Sequence, residues 1–211
     1  MPGTMGRLIS LDGLDGSGKS TQCRLLVDHF KSAGIPVTAC QDPGSTDLGR
    51  SLREILLRHP GEICAMSEAA MFMAARAQMI HEIIYPAILN GKTVVCDRFM
   101  LATMAYQGHG SGLELSGLRT AIRFAASGLK PDLAIVLDLP VEKARARLGS
   151  NPDRLERRPE DFHRRVRAGF LAEAEMDQQG IAVVNADNPE NLILAEILRT
   201  IKRWEDCHAV G

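Results

Sequence analysis

Short apolar runs alternate along the chain with longer segments in which apolar residues recur about every 3.6 positions. Each run is rich in Val, Ile or Leu and is bounded by polar residues or glycine, a pattern typical of parallel strands buried on both faces. The runs predict five strands, at residues 8–11, 36–40, 93–96, 133–137 and 181–184. The periodic segments predict helices at residues 20–32, 48–58, 67–90, 113–127, 141–148, 162–178 and 189–204.

The alternation of strands and helices predicts the fold class. Strand–helix–strand units favour an α/β fold with a doubly wound parallel sheet, and such sheets bind ligands beyond the carboxyl ends of their strands. No repeat, low-complexity stretch or linker divides the chain, and 211 residues can bury one sizeable core. We therefore expect a single domain over residues 1–211, with its functional residues in the loops that leave the strands.

The loop after the first predicted strand carries the phosphate-binding motif. Residues 13–20 read GLDGSGKS and match G-x-x-x-x-G-K-[ST] between a strand and a helix. Glycines let consecutive backbone N–H groups turn onto phosphate oxygens, Lys19 can reach the β and γ phosphates, and Ser20 can offer its hydroxyl to Mg²⁺. The alternative is a glycine-rich turn that binds no nucleotide, and the strand–loop–helix context argues against it. The predicted ATP-binding residues are Gly13, Leu14, Asp15, Gly16, Ser17, Gly18, Lys19, Ser20 and Thr21.

Composition and missing motifs narrow the class of nucleotide-binding protein. The chain has no N-K-x-D segment of the kind that signalling GTPases use to bind guanine, and it is short for an ATP-driven motor. These features favour a small kinase that passes a phosphoryl group to a small acceptor. The formal net charge of −1 and the lack of an apolar run of about 20 residues predict neither a nucleic-acid partner nor a membrane partner.

Cysteine usage and the N-terminus bear on the compartment. The five cysteines are odd in number and include no C-x-x-C pair, so we expect buried free thiols in a reducing compartment. Residues 1–6 lack the charged and apolar regions of a signal peptide. The expected location is the cytoplasm.

Two residue pairs are further candidates for the site. Asp97 and Arg98 follow the third predicted strand. An Asp at this place can hold Mg²⁺ through water, and an Arg can donate two hydrogen bonds to phosphate oxygens. The alternative is a helix-capping Asp paired with its neighbour. Phe72 and Arg76 are four positions apart on one helix face and could bind a planar base. A core Phe covered by the stem of a surface Arg is the alternative there.

A cationic segment follows the fourth predicted strand. Residues 142–167 hold nine cationic side chains against five acidic ones, and a G-S-N-P-D break interrupts them. The break predicts a mobile flap, here called the lid segment (about residues 149–160), that closes over ATP and brings arginines to the transferring phosphoryl group. A solvated helical face with i,i+4 ion pairs is the alternative, and it explains some of these arginines.

Together these segments resemble the thymidylate kinases, a family of P-loop nucleoside monophosphate kinases, over about residues 7–204. The most specific parts are the Phe72 and Arg76 pair, the Asp97-Arg98 dipeptide and the Ala-Tyr-Gln-Gly segment at residues 105–108. The resemblance implies a three-layer α/β/α fold around a five-stranded parallel sheet, with a short arginine-bearing lid. It also implies transfer of the γ phosphate of ATP to dTMP, which gives dTDP and ADP in dTTP biosynthesis. Mg²⁺ and a homodimer are implied as well.

The resemblance also assigns roles to individual residues. The implied dTMP-binding residues are Phe72 and Arg76 at the base, Thr103 and Gln107 beside it, Tyr106 at the sugar, Asp15 at the 3′-hydroxyl, and Arg53 and Arg98 at the phosphate. The implied catalytic residues are Lys19, Arg98, Arg147 and Arg154, and the residues expected at Mg²⁺ are Ser20 and Asp97. A phosphomonoester has a second pKa near ~6, so the acceptor is already an oxyanion at neutral pH and needs no general base.

Several positions depart from the usual pattern of the family. The usual Arg-Glu-Pro-Gly-Gly-Thr reads QDPGST at residues 41–46, which replaces a cation by Gln41 and shortens an acid to Asp42. Ala102 stands where a serine is usual. We expect these changes to weaken dTMP binding or to relax the choice of base. They leave open a kinase for another small nucleotide or metabolite, or a non-catalytic ATP-binding switch protein.

Overall fold

The computed structural model describes residues 6–208, which form helices around a central parallel sheet. The strands are β1 (Leu8–Gly13), β2 (Val37–Gln41), β3 (Thr93–Asp97), β4 (Leu133–Asp138) and β5 (Ile181–Asn185). Neighbouring strands all run parallel, in the order β2-β3-β1-β4-β5. The five predicted strands are confirmed, and their observed bounds lie within about two residues of the predicted ones.

Helices cover both faces of this sheet. The α-helices are α1 (Lys19–Ser32), α2 (Asp47–Arg58), α3 (Ala65–Met79), α4 (Tyr85–Leu89), α5 (Met100–Thr103), α6 (Leu115–Ala125), α7 (Val141–Ala146), α8 (Glu160–Met176) and α9 (Glu190–His208). Two π-helical segments, Ile80–Ile84 and Met104–Gly110, extend α3 and α5.

Two apolar clusters hold these helices against opposite faces of the sheet. Ile9 of β1 packs in one cluster with Leu26 and Phe30 of α1. Its neighbour Leu8 packs in the other cluster with Ile84, between α3 and α4. Successive side chains of a strand point to opposite faces, so adjacent residues serve different layers. The expected three-layer α/β/α fold is confirmed.

Two helical segments differ from the prediction. The helix predicted at residues 67–90 runs through α3 and α4 but contains the π-helical turn Ile80–Ile84. Residues 100–110, for which no helix is predicted, form α5 and the second π-helical segment. Most residues of that segment are buried, so it lacks the one-sided apolar stripe from which a surface helix is predicted.

The carboxyl ends of β1, β2 and β3 meet at one edge of the sheet. Asp97 at the end of β3 is the register partner of Leu11 on β1 and of Gln41 on β2. The motifs at residues 13–20, 41–46 and 97–98 therefore lie side by side, although the sequence separates them widely. This is the edge at which doubly wound sheets bind their ligands.

The structure also bears on the expectations about membrane helices and cysteines. Between residues 6 and 208 no helix has the length and apolar character needed to cross a membrane. All five cysteines are free thiols, but Cys64 and Cys207 are exposed, so the expectation of burial is wrong for these two. Residues 1–5, on which the expectation about a signal peptide mainly rests, lie outside the described part of the chain.

Candidate active site

The phosphate loop (residues 13–20) turns the chain from β1 into α1. Gly16 and Gly18 have φ values of +81° and +92°, which side-chain-bearing residues rarely adopt. A Cβ on Gly16 would lie 2.2 Å from the carbonyl oxygen of Ala144, so the loop is packed directly against α7. Within residues 6–208 no side chain caps the N-terminus of α1. Its first N–H groups and the positive end of its dipole therefore remain available to an anion.

Lys19 is buried at the base of this loop. Its Nζ donates a hydrogen bond to the carbonyl oxygen of Leu14 at 2.7 Å, and 6% of the residue is exposed. Burial and the neighbouring Arg98 guanidinium lower the pKa of Lys19 from 10.5 to about 8, against the opposing effect of Asp15. The ammonium group is thus held where a bound anion would stabilise its charge.

Ser20 and Asp97, the two residues expected at Mg²⁺, are in direct contact. Ser20 Oγ donates a hydrogen bond to Asp97 Oδ2 at 2.5 Å, and Gln41 Nε2 donates to the same oxygen at 3.4 Å. A hydroxyl and a carboxylate beside a phosphate loop are oxygen ligands of the kind that Mg²⁺ prefers. The described residues contain no group of three or more His, Cys, Asp or Glu side chains that could hold a metal ion. A Mg²⁺ ion bound here would therefore take most of its ligands from phosphate oxygens and water.

Arg98 lies between two adjoining cavities, and its side chain forms part of the wall that separates them. Its φ of +67° is uncommon for a residue with a side chain. The guanidinium donates hydrogen bonds to the Gly13 carbonyl oxygen at 2.9 Å, to the Asp15 carboxylate and to Tyr106 Oη at 3.3 Å. Tyr106 Oη in turn donates to Asp15 Oδ2 at 2.6 Å. These interlocking bonds fix the orientation of the Arg98 side chain.

Charge pairing sets the protonation states within this wall. Burial would raise the pKa of Asp15, but Arg98 and Lys19 outweigh burial and hold it below its ordinary value. Burial opposes the charge of Arg98, but Asp15 reverses this effect and the pKa of Arg98 rises. Burial raises the pKa of Tyr106 well above its ordinary value. At neutral pH the wall consists of a carboxylate, a guanidinium and a neutral phenol.

One of the two cavities, here called the acceptor cavity, lies between the loops that follow β1, β2 and β3 and the helix α3. It is lined by Asp15, Asp42, Pro43, Arg53, Leu57, Phe72, Arg76, Arg98, Ala102, Thr103, Tyr106, Gln107, Asp153 and Leu155. All eight residues expected at dTMP are among them. The structure brings these eight residues together, while their individual roles stay predictions.

The other cavity, here called the donor groove, follows the phosphate loop. It is lined by Asp15, Gly16, Gly18, Lys19, Ser20, Thr21, Gln41, Arg53, Asp97, Arg98, Arg147 and Glu156. The remaining predicted ATP-binding residues, Gly13, Leu14 and Ser17, are buried beneath the loop surface. Asp15, Arg53 and Arg98 line both cavities, so the two sites share one charged wall.

Arg76 is a buried guanidinium beside the acceptor cavity, one helical turn after Phe72. Its Nε donates a hydrogen bond to Asp42 Oδ2 at 2.5 Å, and its Nη2 donates to the Phe99 carbonyl oxygen at 3.1 Å and to Thr103 Oγ1 at 2.8 Å. Burial raises the pKa of Asp42, and Arg76 opposes that rise. The Nη1 atom of Arg76 is buried and has no partner among residues 6–208, so one donor is free for a ligand.

The two arginines expected to be catalytic near the lid segment lie in different places. Arg147 lines the donor groove just after α7, where its Nη1 donates to the Ala186 carbonyl oxygen at 3.5 Å. Arg154 instead donates from Nε to the Leu56 carbonyl oxygen at 2.8 Å and from Nη1 to Glu68 Oε1 at 2.5 Å. The structure therefore brings Arg147 to the phosphate loop and places Arg154 against α2 and α3.

Two carboxylates of the site are missed by sequence reasoning. Asp42, read from the sequence as a shortened acid, is the buried partner of Arg76. Glu68, in the first turn of α3, looks like an ordinary acid near a helix N-terminus, yet it is fully buried and pairs with Arg154. One signal could have found it, because positions 68, 72 and 76 share one helix face. The sequence likewise gives no sign that Asp153 and Leu155 line the acceptor cavity.

The fold and the two cavities define a class of protein. A phosphate loop at the carboxyl edge of a parallel sheet, with a second cavity across a shared arginine, is the arrangement of a P-loop phosphotransferase that holds a donor nucleotide and a separate acceptor. Comparisons with known proteins narrow this class. The family model described as Thymidylate kinase matches residues 11–197. The chain belongs to the thymidylate kinase family, as the sequence resemblance predicts.

Individual relatives agree with this assignment. The thymidylate kinase of Pelotomaculum thermopropionicum is 40% identical over 210 residues, which cover 98% of this chain and 97% of that protein. The thymidylate kinase of Leifsonia xyli subsp. xyli is 44% identical over 195 residues, 91% of this chain and 92% of that protein. The crystal structure of thymidylate kinase from Ehrlichia chaffeensis has a TM-score of 0.78 to this chain at 29% identity, and covers 95% of this chain and 100% of that one.

Proposed function

We propose that the chain transfers the γ-phosphoryl group of ATP to dTMP and forms dTDP and ADP for dTTP biosynthesis. One observation carries the proposal: the eight residues expected at dTMP line a single cavity that shares Arg98 with the donor groove. Membership of the thymidylate kinase family supports both substrates. The proposal takes residues 1–211 as one domain with a lid at about residues 149–160.

On the donor side, the phosphate-loop N–H groups and the N-terminus of α1 bind the phosphate oxygens of ATP. In the unliganded chain, Lys19 donates a hydrogen bond to the Leu14 carbonyl oxygen. When ATP binds, its ammonium group turns to the β and γ phosphates. Ser20 and Asp97 would hold Mg²⁺, and the bound ion would neutralise phosphate charge. We propose residues 13–21 as the ATP-binding residues.

On the acceptor side, the free Nη1 of Arg76 binds a carbonyl oxygen of the base, and Phe72 stacks on its plane. Thr103 and Gln107 line the cavity beside them, at positions where they can bind the edge of the base. A base with a carbonyl group at this edge, such as thymine, matches the donor of Arg76, whereas an amino group there would leave that donor unpaired.

At the other end of the acceptor cavity, Tyr106 and Asp15 meet the sugar, and Arg98 and Arg53 meet the phosphate. Both arginines also line the donor groove, so they lie where the acceptor phosphate approaches the γ phosphate. The acceptor oxygen is ionised at neutral pH, so the protein's task is alignment and charge neutralisation rather than proton removal.

Arg147 is the arginine we propose to meet the transferring phosphoryl group, because it lines the donor groove. A catalytic role for Arg154, which the family resemblance implies, requires this residue to leave Glu68 and swing toward the donor groove. The two residues are thus separable by mutation, since they occupy different contacts in the same structure.

A homodimer and a cytoplasmic location are also part of the proposal. Large apolar side chains are exposed along α2, α3 and α6, and α3 packs against both neighbours. We propose that four of these exposed side chains, Leu48, Ile55, Met66 and Phe124, contribute to the interface, and they are here called the apolar patch. Exposed apolar surface of this kind favours association with a second copy. The free thiols are compatible with a reducing cytoplasm.

The test is ADP release by the purified chain with MgATP and one acceptor at a time: dTMP, dUMP, dCMP, dGMP, AMP, UMP or none. We expect the highest kcat/KM with dTMP and almost no ADP without an acceptor. Turnover with a different acceptor would keep a P-loop kinase and reject the thymine assignment. Tight ATP binding without acceptor-dependent turnover would favour the switch protein. Phe72→Ala, which removes the stacking ring, should raise the KM for dTMP and leave the KM for ATP unchanged.

A further inference from the structure

Glu68 is a fully buried carboxylate to which the proposed reaction assigns no role. Three side chains donate hydrogen bonds to it. Arg154 Nη1 lies 2.5 Å and Arg158 Nη2 lies 3.2 Å from Oε1, while Gln107 Nε2 lies 3.2 Å from Oε2. The two arginines belong to the lid segment, whereas Gln107 lines the acceptor cavity. One carboxylate therefore contacts both the lid segment and the wall of the cavity beneath it.

The energetics of this cluster favour a closed arrangement. A buried carboxylate is costly unless positive charge and hydrogen bonds compensate its lost hydration. In the described residues, all the positive charge bonded to Glu68 comes from the lid segment, through Arg154 and Arg158. If the lid segment moved away, Glu68 would keep Gln107 as a neutral partner. The carboxylate thus stabilises the lid segment in contact with α3.

Backbone contacts fix the lid segment at the same place. The backbone N–H of Arg154 donates to the Leu57 carbonyl oxygen at 3.2 Å, and its Nε donates to the Leu56 carbonyl oxygen at 2.8 Å, both at the end of α2. The residues on either side, Asp153 and Leu155, line the acceptor cavity. Leu155 is itself buried. Docking of Arg154 on Glu68 therefore positions part of the cavity wall.

We propose that Glu68 is a positioning residue that anchors the lid segment over the acceptor cavity and so sets acceptor binding. The inference deepens the proposed function and rests on it for the identity of the acceptor. Arg154 and Arg158 act as the anchor points of the lid segment, and Arg147 remains beside the donor groove. Loss of the anchor should weaken acceptor binding much more than ATP binding, because the lid segment contributes Asp153 and Leu155 to the acceptor cavity and Glu156 to the donor groove.

The test is the isosteric variant Glu68→Gln, with Glu62→Gln at a nearby exposed position as the matched control. We expect the KM for dTMP to rise about tenfold or more, with the KM for ATP and kcat changed by less than about threefold. In the unliganded protein, the backbone amides of residues 153–158 should exchange hydrogen faster in Glu68→Gln than in the wild type. An unchanged KM for dTMP with unchanged exchange would overturn the proposal, as would a loss confined to kcat.

A second set of variants covers the case in which Glu68→Gln does not fold. Arg154→Gln and Arg158→Gln remove the donors from the more exposed side of the cluster and should each raise the KM for dTMP and the exchange of the lid amides. In folded proteins, the effects of Glu68→Gln and Arg154→Gln should be less than additive, because both break the same contact. Full additivity would contradict a shared anchor. Hydrogen exchange needs no substrate, so it tests the anchor even if dTMP is not the acceptor. A wild type that is inactive with dTMP would refute the proposed function but not the anchor.

Discussion

Lys19 combines burial with a required positive charge, and this combination makes the site sensitive to pH. Burial and Arg98 lower its pKa to about 8 in the unliganded chain. A bound phosphate favours the protonated form, because the anion stabilises the ammonium group. ATP binding at alkaline pH must therefore be accompanied by proton uptake.

We expect the affinity for ATP to fall as the pH rises above about 8, by up to about tenfold for each pH unit. Titration calorimetry at pH 7 to 9.5, in buffers with different ionisation enthalpies, measures both the affinity and the protons taken up. Constant affinity with no proton uptake would contradict the lowered pKa. The free energy of unfolding depends on pH in the opposite direction. Lys19 has a pKa of 10.5 in the unfolded chain and about 8 in the folded one, so between these pH values the unfolded chain binds more protons. The unliganded folded chain therefore gains stability as the pH rises from about 8 to 10.5.

Gln41 and Ala102 are two of the positions at which the sequence is expected to depart from the usual family pattern, and each of them lines a cavity of the site. Gln41 lines the donor groove beside Asp97, and Ala102 lines the acceptor cavity beside Thr103. An arginine at position 41 would add a cation near both phosphates. A serine at position 102 would add a hydroxyl near the base.

The double variant Gln41→Arg with Ala102→Ser should lower the KM for dTMP by about threefold to tenfold and increase the preference for dTMP over dUMP, because each change adds one contact of modest strength. Steady-state kinetics with both acceptors provide the measurement, and the two single variants separate the phosphate effect from the base effect. Unchanged KM and unchanged preference would show that the departures do not limit acceptor binding.

At the scale of elements, the short helix α7 and the lid segment that follows it divide the arginines between two tasks. Arg147 immediately follows α7, which packs against the phosphate loop through Ala144 and Gly16. Arg154 lies farther along and docks on α2 and α3. Position along this connection therefore separates an arginine that lines the donor groove from one that contacts α2 and α3.

Arg147→Gln should lower kcat by about 100-fold or more while it changes both KM values by less than about threefold, because its charge acts where negative charge develops during transfer. Arg145→Gln, at an exposed position two residues earlier, is the control and should change kcat little. Single-turnover measurements separate the transfer step from product release. If Arg154→Gln caused the loss of kcat and Arg147→Gln did not, Arg154 would be the catalytic arginine.

The same scale shows what the sequence predicts well. Buried parallel strands appear as short, nearly continuous apolar runs, so all five strands and the phosphate loop are predicted from the sequence. The π-helical segment Met104–Gly110 is not, because it is buried on most sides and ends at glycine. Residues 106 and 107 are predicted as site residues from the family resemblance even though their helix is not predicted.

Long-range pairs are the part of the site that no local pattern predicts. Asp42 and Arg76 are 34 residues apart in sequence, and Glu68 and Arg154 are 86 apart. Each carboxylate looks like an ordinary polar residue until the fold buries it against a guanidinium. Burial is a property of the assembled layers, so these partners become visible only in three dimensions.

For the whole molecule, the apolar patch on α2, α3 and α6 is the feature that bears on assembly. Phe124 is 88% exposed, which is unusual for a large aromatic side chain of an isolated chain. A second copy that presents the same patch would bury both.

Light scattering after size exclusion should give twice the chain mass of 23.0 kDa for the wild type. Phe124→Glu should shift the protein toward a monomer, because it places a charge in an apolar interface. Leu192→Glu, at an exposed position on α9, is the control and should leave the mass unchanged. A wild type that elutes as a monomer at micromolar concentrations would reject the dimer.

Arg98 and Asp15 have one further consequence, because they belong to both cavities at once. An anionic ligand on one side draws on the same fixed positive charge that a ligand on the other side needs, so the two binding equilibria are linked. Because the thermodynamic cycle closes, the factor by which the donor alters the affinity for the acceptor equals the factor by which the acceptor alters the affinity for the donor. A shared wall thus makes the order of substrate binding a matter of rates, while the stability of the ternary complex is the same by either route.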